Sequence, residues 1–291
     1  MQSENLLMSG ELVWFAYAIV IVFSLVLGSF FNVVILRLPK QLQQQWTQDC
    51  CELLEQPAPT QEPFGLAFPN SHCPKCEAPI KPWHNIPVVS YLMLKGKCAS
   101  CKASISLRYP VIEIATALLS VVVVNQLGFN WLSAAVLVFT WALINLTVID
   151  FDTQLLPDSI TLPLLWLGLI VNYYGLITDL PSAFWGAIFG YLSLWSVFWL
   201  FKLLTGKEGM GYGDFKLLAA LGAWMGWQML PLVIILSSLV GAAIGITLIV
   251  TKGRDKNIPI PFGPYLAIAG WIAMLWGSII TESYLQLAYV G

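Results

Sequence analysis

The chain has 291 residues, of which 58% are hydrophobic and only 10% are charged, and its mean hydropathy is +0.75. These values exclude an ordinary water-soluble domain of this length and indicate a protein that crosses a membrane several times. The net charge of −2 comes from 14 basic and 16 acidic residues, and the basic residues form no concentration of charge that would suit nucleic acid.

Apolar runs along the chain predict an all-α polytopic membrane protein with about eight transmembrane helices. A membrane-spanning helix needs about 20 predominantly apolar residues. Runs of roughly this length cover residues 12–36, 111–127, 131–149, 160–177, 183–204, 215–227, 232–250 and 262–280. The run 215–227 is short and could be fused with the next one across Pro231. Because no Lys or Arg precedes the first run and no small-residue cleavage site follows it, we expect a retained span there rather than a signal peptide.

The basic residues predict the orientation of these helices in the membrane. Every Lys and Arg lies within 37–108, 202–216 or 252–256. With eight spans, these regions share one side of the membrane, and the connections on the opposite side contain no basic residue. The positive-inside rule therefore predicts that the basic side is cytoplasmic and that both termini are periplasmic.

The segment between the first two predicted helices is the only connection long enough to form a domain, and it contains all 6 cysteines. We therefore expect a periplasmic N-terminus with the first transmembrane helix (1–36), a cytosolic loop domain (37–110) and a seven-helix transmembrane core (111–291). The polar stretch from Gln41 is expected to be helical at first and then to become a flexible, proline-rich link.

Paired CxxC motifs in this loop predict a small zinc-ribbon-like insertion. Two residues between thiols let both sulfur atoms face one ion, and the two motifs are about 20 residues apart, as in structural Zn²⁺ sites with four thiolates. The predicted ligands are Cys73, Cys76, Cys98 and Cys101. A bound metal would supply folding free energy that so small a ribbon lacks. A redox dithiol and free thiols remain as alternatives, whereas disulfides are disfavoured by the cytosolic location.

The remaining residues of metal-ligating type in this loop are not expected to bind the ion. His72 and His84 are interpreted as polar loop residues, because four sulfur atoms already complete the coordination shell. Cys50 and Cys51 are adjacent and have no partner motif, so no role is assigned to them.

Two aspartates are the candidate catalytic residues. The chain contains neither HExxH nor GxSxG, so metalloprotease and serine-hydrolase chemistry of those types are poorly supported. Asp150 ends the third predicted helix and Asp214 begins the sixth, so both are expected at the cytoplasmic ends of helices. Two adjacent carboxyl groups can share a proton, one acting as a general base on water while the other protonates the scissile carbonyl. The glycines Gly211 and Gly213 are interpreted as clearance for a substrate backbone. The alternative is that each aspartate is only a boundary charge.

Other acidic residues near the predicted membrane boundaries have structural interpretations. Asp158 follows Pro157 and precedes an apolar run, which is typical of an N-cap. Asp152 is expected to be solvated. Glu113 is interpreted as a first-turn acid that complements the dipole of its helix, and Lys216 as a residue that sets the local charge or the topology.

Five motifs in this order resemble those of the bacterial type IV prepilin peptidases. They are Gly28-Ser29-Phe30-Phe31-Asn32-Val33-Val34-Ile35-Leu36-Arg37-Leu38-Pro39, the paired CxxC loop, Arg108-Tyr109-Pro110, the Asp150 hairpin with Leu155-Leu156-Pro157-Asp158, and Gly211-Tyr212-Gly213-Asp214-Phe215-Lys216. The resemblance covers nearly the whole chain. GxGD alone would be a weak indication, since presenilin-type proteases share it.

The resemblance implies a bifunctional enzyme of the bacterial inner membrane. Members of this family cleave the short basic leader of type IV prepilins, and of the pseudopilins of type II secretion, after a glycine at the cytoplasmic face. They then methylate the new N-terminal residue with S-adenosylmethionine. By this resemblance Asp150 and Asp214 carry the proteolysis. The residues that bind the methyl donor are not assigned, although Asn32, Arg37, Gly96 and Glu113 are candidates.

Two other functions remain as alternatives at this point. One is a presenilin-like intramembrane protease with different substrates. The other is a transporter that uses Asp150 and Asp214 as a charge pair, although acids at helix ends argue against it because a transport site is expected near the middle of the membrane.

Overall fold

The computed structural model describes residues 10–57, 59, 64–252 and 261–290, and the chain divides into two compact units, Met1–Phe129 and Asn130–Gly291. Within the described residues the regular structure is helical, together with isolated β-bridges. The all-α class predicted from the apolar runs is confirmed.

The first unit contains two long helices, α1 (Gly10–Leu53) and α3 (Arg108–Leu127), and the short helix α2 (Val89–Met93). Helices α1 and α3 pack together. Gly28 permits their closest approach, because a Cβ atom there would lie 2.7 Å from Cα of Glu113. Helix α1 continues beyond the predicted span 12–36, through Pro39 and into the polar stretch. Loss of hydrophobicity marks where a membrane span ends, but it does not end a helix that water can solvate.

The second unit contains six long helices among its described residues. They are α4 (Trp131–Thr153), α5 (Asp158–Tyr173), α6 (Leu180–Thr205), α7 (Tyr212–Met225), α8 (Leu230–Lys252) and α9 (Gly263–Val290). Each corresponds to one of the apolar runs predicted in this part of the chain.

Six helices in the described parts of the chain are long and apolar enough to cross a membrane. These spans are Leu12–Leu53, Arg108–Leu127, Trp131–Thr153, Leu180–Thr205, Trp227–Thr247 and Gly263–Leu287. Helices α5 and α7 have only 16 and 14 residues. A polytopic membrane protein is therefore confirmed, while the number of eight spans remains a prediction.

Helix α7 lies at the centre of the second unit and packs against α5, α6 and α9. From Asp214 to Met225 its side chains are buried, apart from Lys216. The backbones of α7 and α6 approach closely at Gly222, where a Cβ atom would collide with the carbonyl oxygen of Gly186. A helix surrounded by protein does not need the length or the hydrophobicity of a lipid-facing span, which explains why the run 215–227 looked marginal in the sequence.

The C-terminal end of α7 is satisfied by side chains of α5. Asn172 donates from Nδ2 to the carbonyl oxygens of Ala223 and Trp224 at 2.9 and 2.8 Å. Its Oδ1 accepts from the N–H of Thr178 at 3.0 Å, and Nε1 of Trp224 donates to the carbonyl of Leu164 at 2.8 Å. Because the last carbonyls of a helix have no intrahelical partner, these bonds fix the end of α7 away from water.

Candidate active site and cysteine cluster

Asp150 lies in the last turn of α4. The helix ends at Thr153 because Gln154 adopts the left-handed conformation, with φ 56°, and its N–H donates to the carbonyl of Asp150 at 2.9 Å. The chain then turns through Pro157 into α5. The side chain of Asp150 is only 5% exposed, and its Oδ2 atom is buried without a hydrogen-bond partner among the described residues.

Asp214 is the third residue of α7, whose N-cap is Gly211. Its side chain is 6% exposed, and its Oδ1 atom also has no hydrogen-bond partner within the described ranges. The carboxyl groups of Asp150 and Asp214 lie within the range of electrostatic interaction. The structure therefore places the two aspartates that the sequence singled out near each other, each with one buried oxygen available to a proton or a water molecule.

The two glycines before Asp214 have different surroundings. A Cβ atom at Gly211 would contact only Oδ2 of Asp214 at 3.8 Å and the neighbouring backbone, which agrees with open space beside the carboxylate. At Gly213 it would lie 2.7 Å from Cβ of Leu156. The prediction that Gly213 provides clearance for a substrate is therefore wrong, because this position packs against the turn that follows Asp150.

Gly263 is a component of the site that the sequence reasoning missed. It is the first residue of α9, and a Cβ atom there would lie 2.6 Å from Oδ2 of Asp150 and 3.1 Å from Cδ1 of Leu156. Leu156 thus lies between Gly263 and Gly213, and the start of α9 forms one wall of the aspartate site. The available signal was a glycine followed by Pro264 at the start of the last apolar run.

Of the other boundary acids of the second unit, Asp158 differs from its prediction and Asp152 agrees with it. Asp158 is not an N-cap, because Pro157 holds that position and makes no side-chain capping bond. Its two carboxylate oxygens instead accept from Nζ of Lys216 at 2.7 Å. Lys216 therefore has a partner at the start of α5. Asp152 is exposed, in agreement with the solvated position expected for it.

In the first unit, the cysteines predicted to bind zinc come together. The sulfur atoms of Cys73, Cys76, Cys98 and Cys101 all lie within 4.8 Å of one another. The Sγ atoms of Cys73 and Cys101 are 3.9 Å apart, close to the separation of about 3.8 Å that tetrahedral Zn–S bonds of about 2.3 Å require.

The two CxxC turns have the same backbone design. In the first, the N–H of Cys73 donates to the carbonyl of Ala78, and His72 pairs with Pro79 in a β-bridge. In the second, the N–H of Cys98 donates to the carbonyl of Ala103, and Lys97 pairs with Ser104. Each turn contains a residue with positive φ four positions after its first cysteine, namely Glu77 at 56° and Lys102 at 62°.

The donor set suits a metal ion. Backbone N–H groups of Lys75 and Cys76 donate to the sulfur atom of Cys73 and lower the pKa of its thiol to about 6. Backbone N–H groups of Cys101 and Ser100 lower the pKa of the Cys98 thiol in the same way. The pKa of the Cys76 thiol is instead raised to about 11: the backbone N–H of Ala78 lowers it, but hydrogen bonding among the cysteine side chains, first of all with Cys101, outweighs this. The fit to a four-thiolate zinc site therefore rests on the short distances among the four sulfur atoms.

The cysteines and histidines outside this cluster are placed as follows. Cys50 and Cys51 lie near the C-terminal end of α1 as free thiols. Nδ1 of His72 lies 3.1 Å from the carbonyl of Asn70, and His84 is the third residue of the 3₁₀ turn Pro82–Asn85. Neither histidine belongs to the cluster.

A cavity of about 470 Å³ lies in the first unit. Its lining includes Asn32, Arg37 and Glu113, three of the four residues named as candidates for methyl-donor binding. The fourth candidate, Gly96, does not line the cavity. It packs against Tyr91, which does line it, since a Cβ atom at Gly96 would lie 2.8 Å from the hydroxyl oxygen of Tyr91.

Polar contacts fix the walls of this cavity. Asn32 donates from Nδ2 to the carbonyls of Gly28 and Tyr109, both at 3.2 Å. Glu113 is the sixth residue of α3, beyond the first turn, and its Oε2 accepts from the N–H of Val88 at 2.8 Å. The interpretation of Glu113 as a first-turn acid that complements the helix dipole is therefore wrong.

Comparison with protein families matches both parts of the chain. Residues 22–127 match the family described as the Bacterial Peptidase A24 N-terminal domain, and residues 137–246 match the Type IV leader peptidase family. The first match contains the cysteine cluster and the cavity, and the second contains Asp150 and Asp214.

Curated relatives match over almost their whole length. A prepilin leader peptidase/N-methyltransferase of Pseudomonas aeruginosa is 60% identical over 269 residues, which are 92% of this chain and 93% of the relative. Proteins of the same name from Aeromonas hydrophila and Neisseria gonorrhoeae are 54% and 51% identical, covering 94% and 89% of this chain and 94% and 90% of those relatives. No solved structure matches.

Proposed function

The chain belongs to the type IV leader peptidase family, and from this premise we propose that Asp150 and Asp214 are its catalytic pair. The enzyme cleaves the leader peptide of type IV prepilins and N-methylates the product, the two activities named for its relatives. The observation that carries the proposal is the proximity of two buried carboxyl groups in the second unit, each with an oxygen atom that has no partner among the described residues.

Two such carboxyl groups can act as the general base and the general acid of peptide hydrolysis. A carboxylate takes a proton from a water molecule, whose oxygen then bonds to the scissile carbonyl carbon, while the protonated partner donates to the carbonyl oxygen. The peptide C–N bond breaks when the leaving nitrogen receives a proton. The unpartnered oxygens, Oδ2 of Asp150 and Oδ1 of Asp214, are the acceptor positions that this mechanism needs.

The proposed substrates are prepilins and pseudopilins, cleaved after a glycine at the cytoplasmic face of the inner membrane. Asp150 is at the C-terminal end of a candidate span, and Asp214 lies in the first turn of α7. Basic residues concentrated in 37–108, 202–216 and 252–256 support a cytoplasmic position for the ends that carry the aspartates, and periplasmic termini. A substrate helix whose leader stays in the cytosol would present its scissile bond at this boundary.

Two small partners complete the proposal. Cys73, Cys76, Cys98 and Cys101 would hold one structural Zn²⁺ ion, whose bonds tie the two CxxC turns together. S-adenosylmethionine would be the methyl donor for the new N-terminal amine, since the relatives are named N-methyltransferases.

The test is leader cleavage by purified full-length enzyme in detergent or lipid nanodiscs. Asp150→Asn and Asp214→Asn should each abolish cleavage of a prepilin, because an amide neither accepts the water proton nor donates as an acid. Asp152→Asn, which removes an exposed carboxylate two residues after Asp150, should retain cleavage. Near wild-type cleavage by either of the first two variants would refute the pair.

Mass spectrometry of the product tests the substrate class and the second activity together. A fragment cut after glycine, and one methyl group heavier when S-adenosylmethionine is supplied, is the expected result. Cleavage elsewhere in the substrate would instead support a presenilin-like protease with other substrates.

A further inference from the structure

The cavity of the first unit contains a buried acid without an ionic partner. Glu113 lines the cavity and is 6% exposed. Glu113 is a member of neither of the ion pairs seen in the described part of the chain, Lys202 with Glu208 and Lys216 with Asp158. A buried carboxylate is strongly disfavoured unless it is hydrogen-bonded and paired. The backbone N–H of Val88 and the hydroxyl of Ser29 donate hydrogen bonds to the Glu113 carboxylate, but neither supplies a positive charge. The Glu113 carboxylate could therefore be paired by a positively charged group of a ligand in the cavity.

Val88, whose N–H donates to Glu113, has a strained backbone conformation. Val88 has φ 59° and ψ −49°, and the N–H of Val89 donates to the carbonyl of Pro87 across it. This is the γ-turn with positive φ, which is rare and unfavourable, above all for a β-branched residue. The turn directs the N–H of Val88 at Oε2 of Glu113. Strain of this kind clusters at ligand-binding sites, where the surrounding structure maintains it.

The rest of the lining suits a ligand that also carries a negative group and a flat ring. Basic side chains of Arg37, Lys75 and Lys81 line the cavity, as do the aromatic rings of Tyr91 and Tyr109. Lys75 and Lys81 are exposed, so the positive charges lie toward solvent and the acid lies inside. The volume of about 470 Å³ falls within the range of about 300–1,000 Å³ that is usual for small-molecule sites.

We infer that this cavity holds the sulfonium methyl donor, with the Glu113 carboxylate as the counter-charge of its cationic part. The inference rests on the proposed N-methylation. It adds where the methyl donor binds and which residue neutralises its positive charge. In that reaction the S–CH₃ bond breaks and its electron pair stays on sulfur, while the lone pair of the substrate amine forms the N–CH₃ bond and the nitrogen releases a proton to solvent. The sulfonium thereby becomes a neutral thioether, so a carboxylate at this place favours the donor over the spent product.

The change of charge gives a binding test that does not depend on turnover. Equilibrium binding of S-adenosylmethionine and of its neutral product, S-adenosylhomocysteine, is measured on full-length enzyme without peptide substrate. Glu113→Gln keeps the size of the side chain and an oxygen that accepts from the N–H of Val88, but removes the charge. We expect at least about tenfold weaker binding of S-adenosylmethionine and less than about threefold weaker binding of S-adenosylhomocysteine, since only the former loses a direct ionic interaction.

The matched control is Glu52→Gln, which removes an exposed carboxylate from α1 of the same unit and should change neither affinity. Equal changes for both ligands in Glu113→Gln, or no change for either, would overturn the assignment of Glu113. Methylation of a prepilin by the wild-type enzyme tests the proposed function separately, so a failed binding test with intact methylation refutes only this inference.

Ultraviolet cross-linking provides a second measurement on unaltered protein, in case Glu113→Gln does not fold. S-adenosylmethionine labelled in its methyl group is irradiated with the wild-type enzyme, and the labelled peptides are identified. Label in peptides from 28–37 or 71–113, suppressed by excess unlabelled S-adenosylhomocysteine, supports the cavity. Label confined to 130–290 refutes it.

Discussion

Lys216 donates from Nζ to both carboxylate oxygens of Asp158 at 2.7 Å, which connects the N-terminal parts of α7 and α5. The pair is partly exposed, with 30% of the lysine side chain and 55% of the aspartate side chain accessible. Asp214 lies two residues before Lys216, and Asp158 follows the turn that carries Leu156 past Gly213 and Gly263. The ion pair therefore joins the two segments that meet beside the aspartate site.

Removing this ion pair should affect activity more than stability. Exposed pairs contribute about 0.2–1 kcal/mol, so we expect Lys216→Met and Asp158→Asn each to lower the free energy of unfolding by less than about 1 kcal/mol. Leader cleavage should slow severalfold, because small displacements of a catalytic group are costly. The measurements are thermal unfolding in detergent and single-turnover cleavage.

The double variant tests whether Lys216 and Asp158 position the aspartate site through their ion pair or affect cleavage independently of each other. If both residues act through their mutual contact, Lys216→Met with Asp158→Asn should cleave no more slowly than the poorer single variant. Additive losses in the double variant would contradict the positioning role.

Gly263→Ala should abolish leader cleavage without unfolding the protein. The new methyl group would lie 2.6 Å from Oδ2 of Asp150, so the carboxyl group or the start of α9 must move. Gly277→Ala is the matched control on the same helix, since its nearest neighbour is the flexible side chain of Met229, with Sδ at 3.0 Å. Cleavage by Gly263→Ala at a rate near that of Gly277→Ala would show that Asp150 does not need its present position.

The sequence was sufficient to predict the all-α class and to single out two buried aspartates, for physical reasons that are local. Each apolar run reports directly on burial in lipid or protein, and an acid at the end of such a run is unusual enough to be noticed. The paired CxxC motifs likewise encode their ligand geometry within four residues each.

What the sequence did not reveal depends on contacts between distant segments. Gly263 is 113 positions after Asp150 in the printed sequence, and only the packing of α9 gives it a role. Asp158 looked like a cap because an aspartate directly before an apolar helical run often is one, but its partner, Lys216, comes from another helix. Glu113 similarly bonds to Val88, whose unusual backbone no composition pattern indicates.

The N-cap of α6 predicts a pH dependence of stability. Oδ2 of Asp179 accepts from the N–H of Ser182 at 3.0 Å, and hydrogen bonds from the side chain and the backbone of Ser182 hold the pKa of this carboxyl below its usual value. A lowered pKa in the folded state means that the stabilisation is present above the unfolded pKa of about 3.9 and is lost as the pH falls through the folded pKa.

Asp179→Ala should therefore lower the melting temperature at pH 7, and the difference from wild type should shrink below about pH 4. A difference that stays constant down to the lowest pH at which the protein folds would argue against this cap.

Zinc content should follow the four cysteines of the cluster and no others. We expect about one zinc per chain by elemental analysis of the purified protein, because the four sulfur atoms lie within 4.8 Å of one another and a four-thiolate site is complete with one ion. Cys73→Ser with Cys98→Ser should lose the metal, since half of the ligands are removed, one from each turn. Cys50→Ser with Cys51→Ser is the matched control, because these free thiols lie on α1 outside the cluster, and it should keep full occupancy.

Limited proteolysis of 64–107 should become faster only in the variant that lacks Cys73 and Cys98, since the ion joins two turns that each contain a single β-bridge. Full zinc occupancy in the variant that lacks Cys73 and Cys98 would rule out these residues as its ligands.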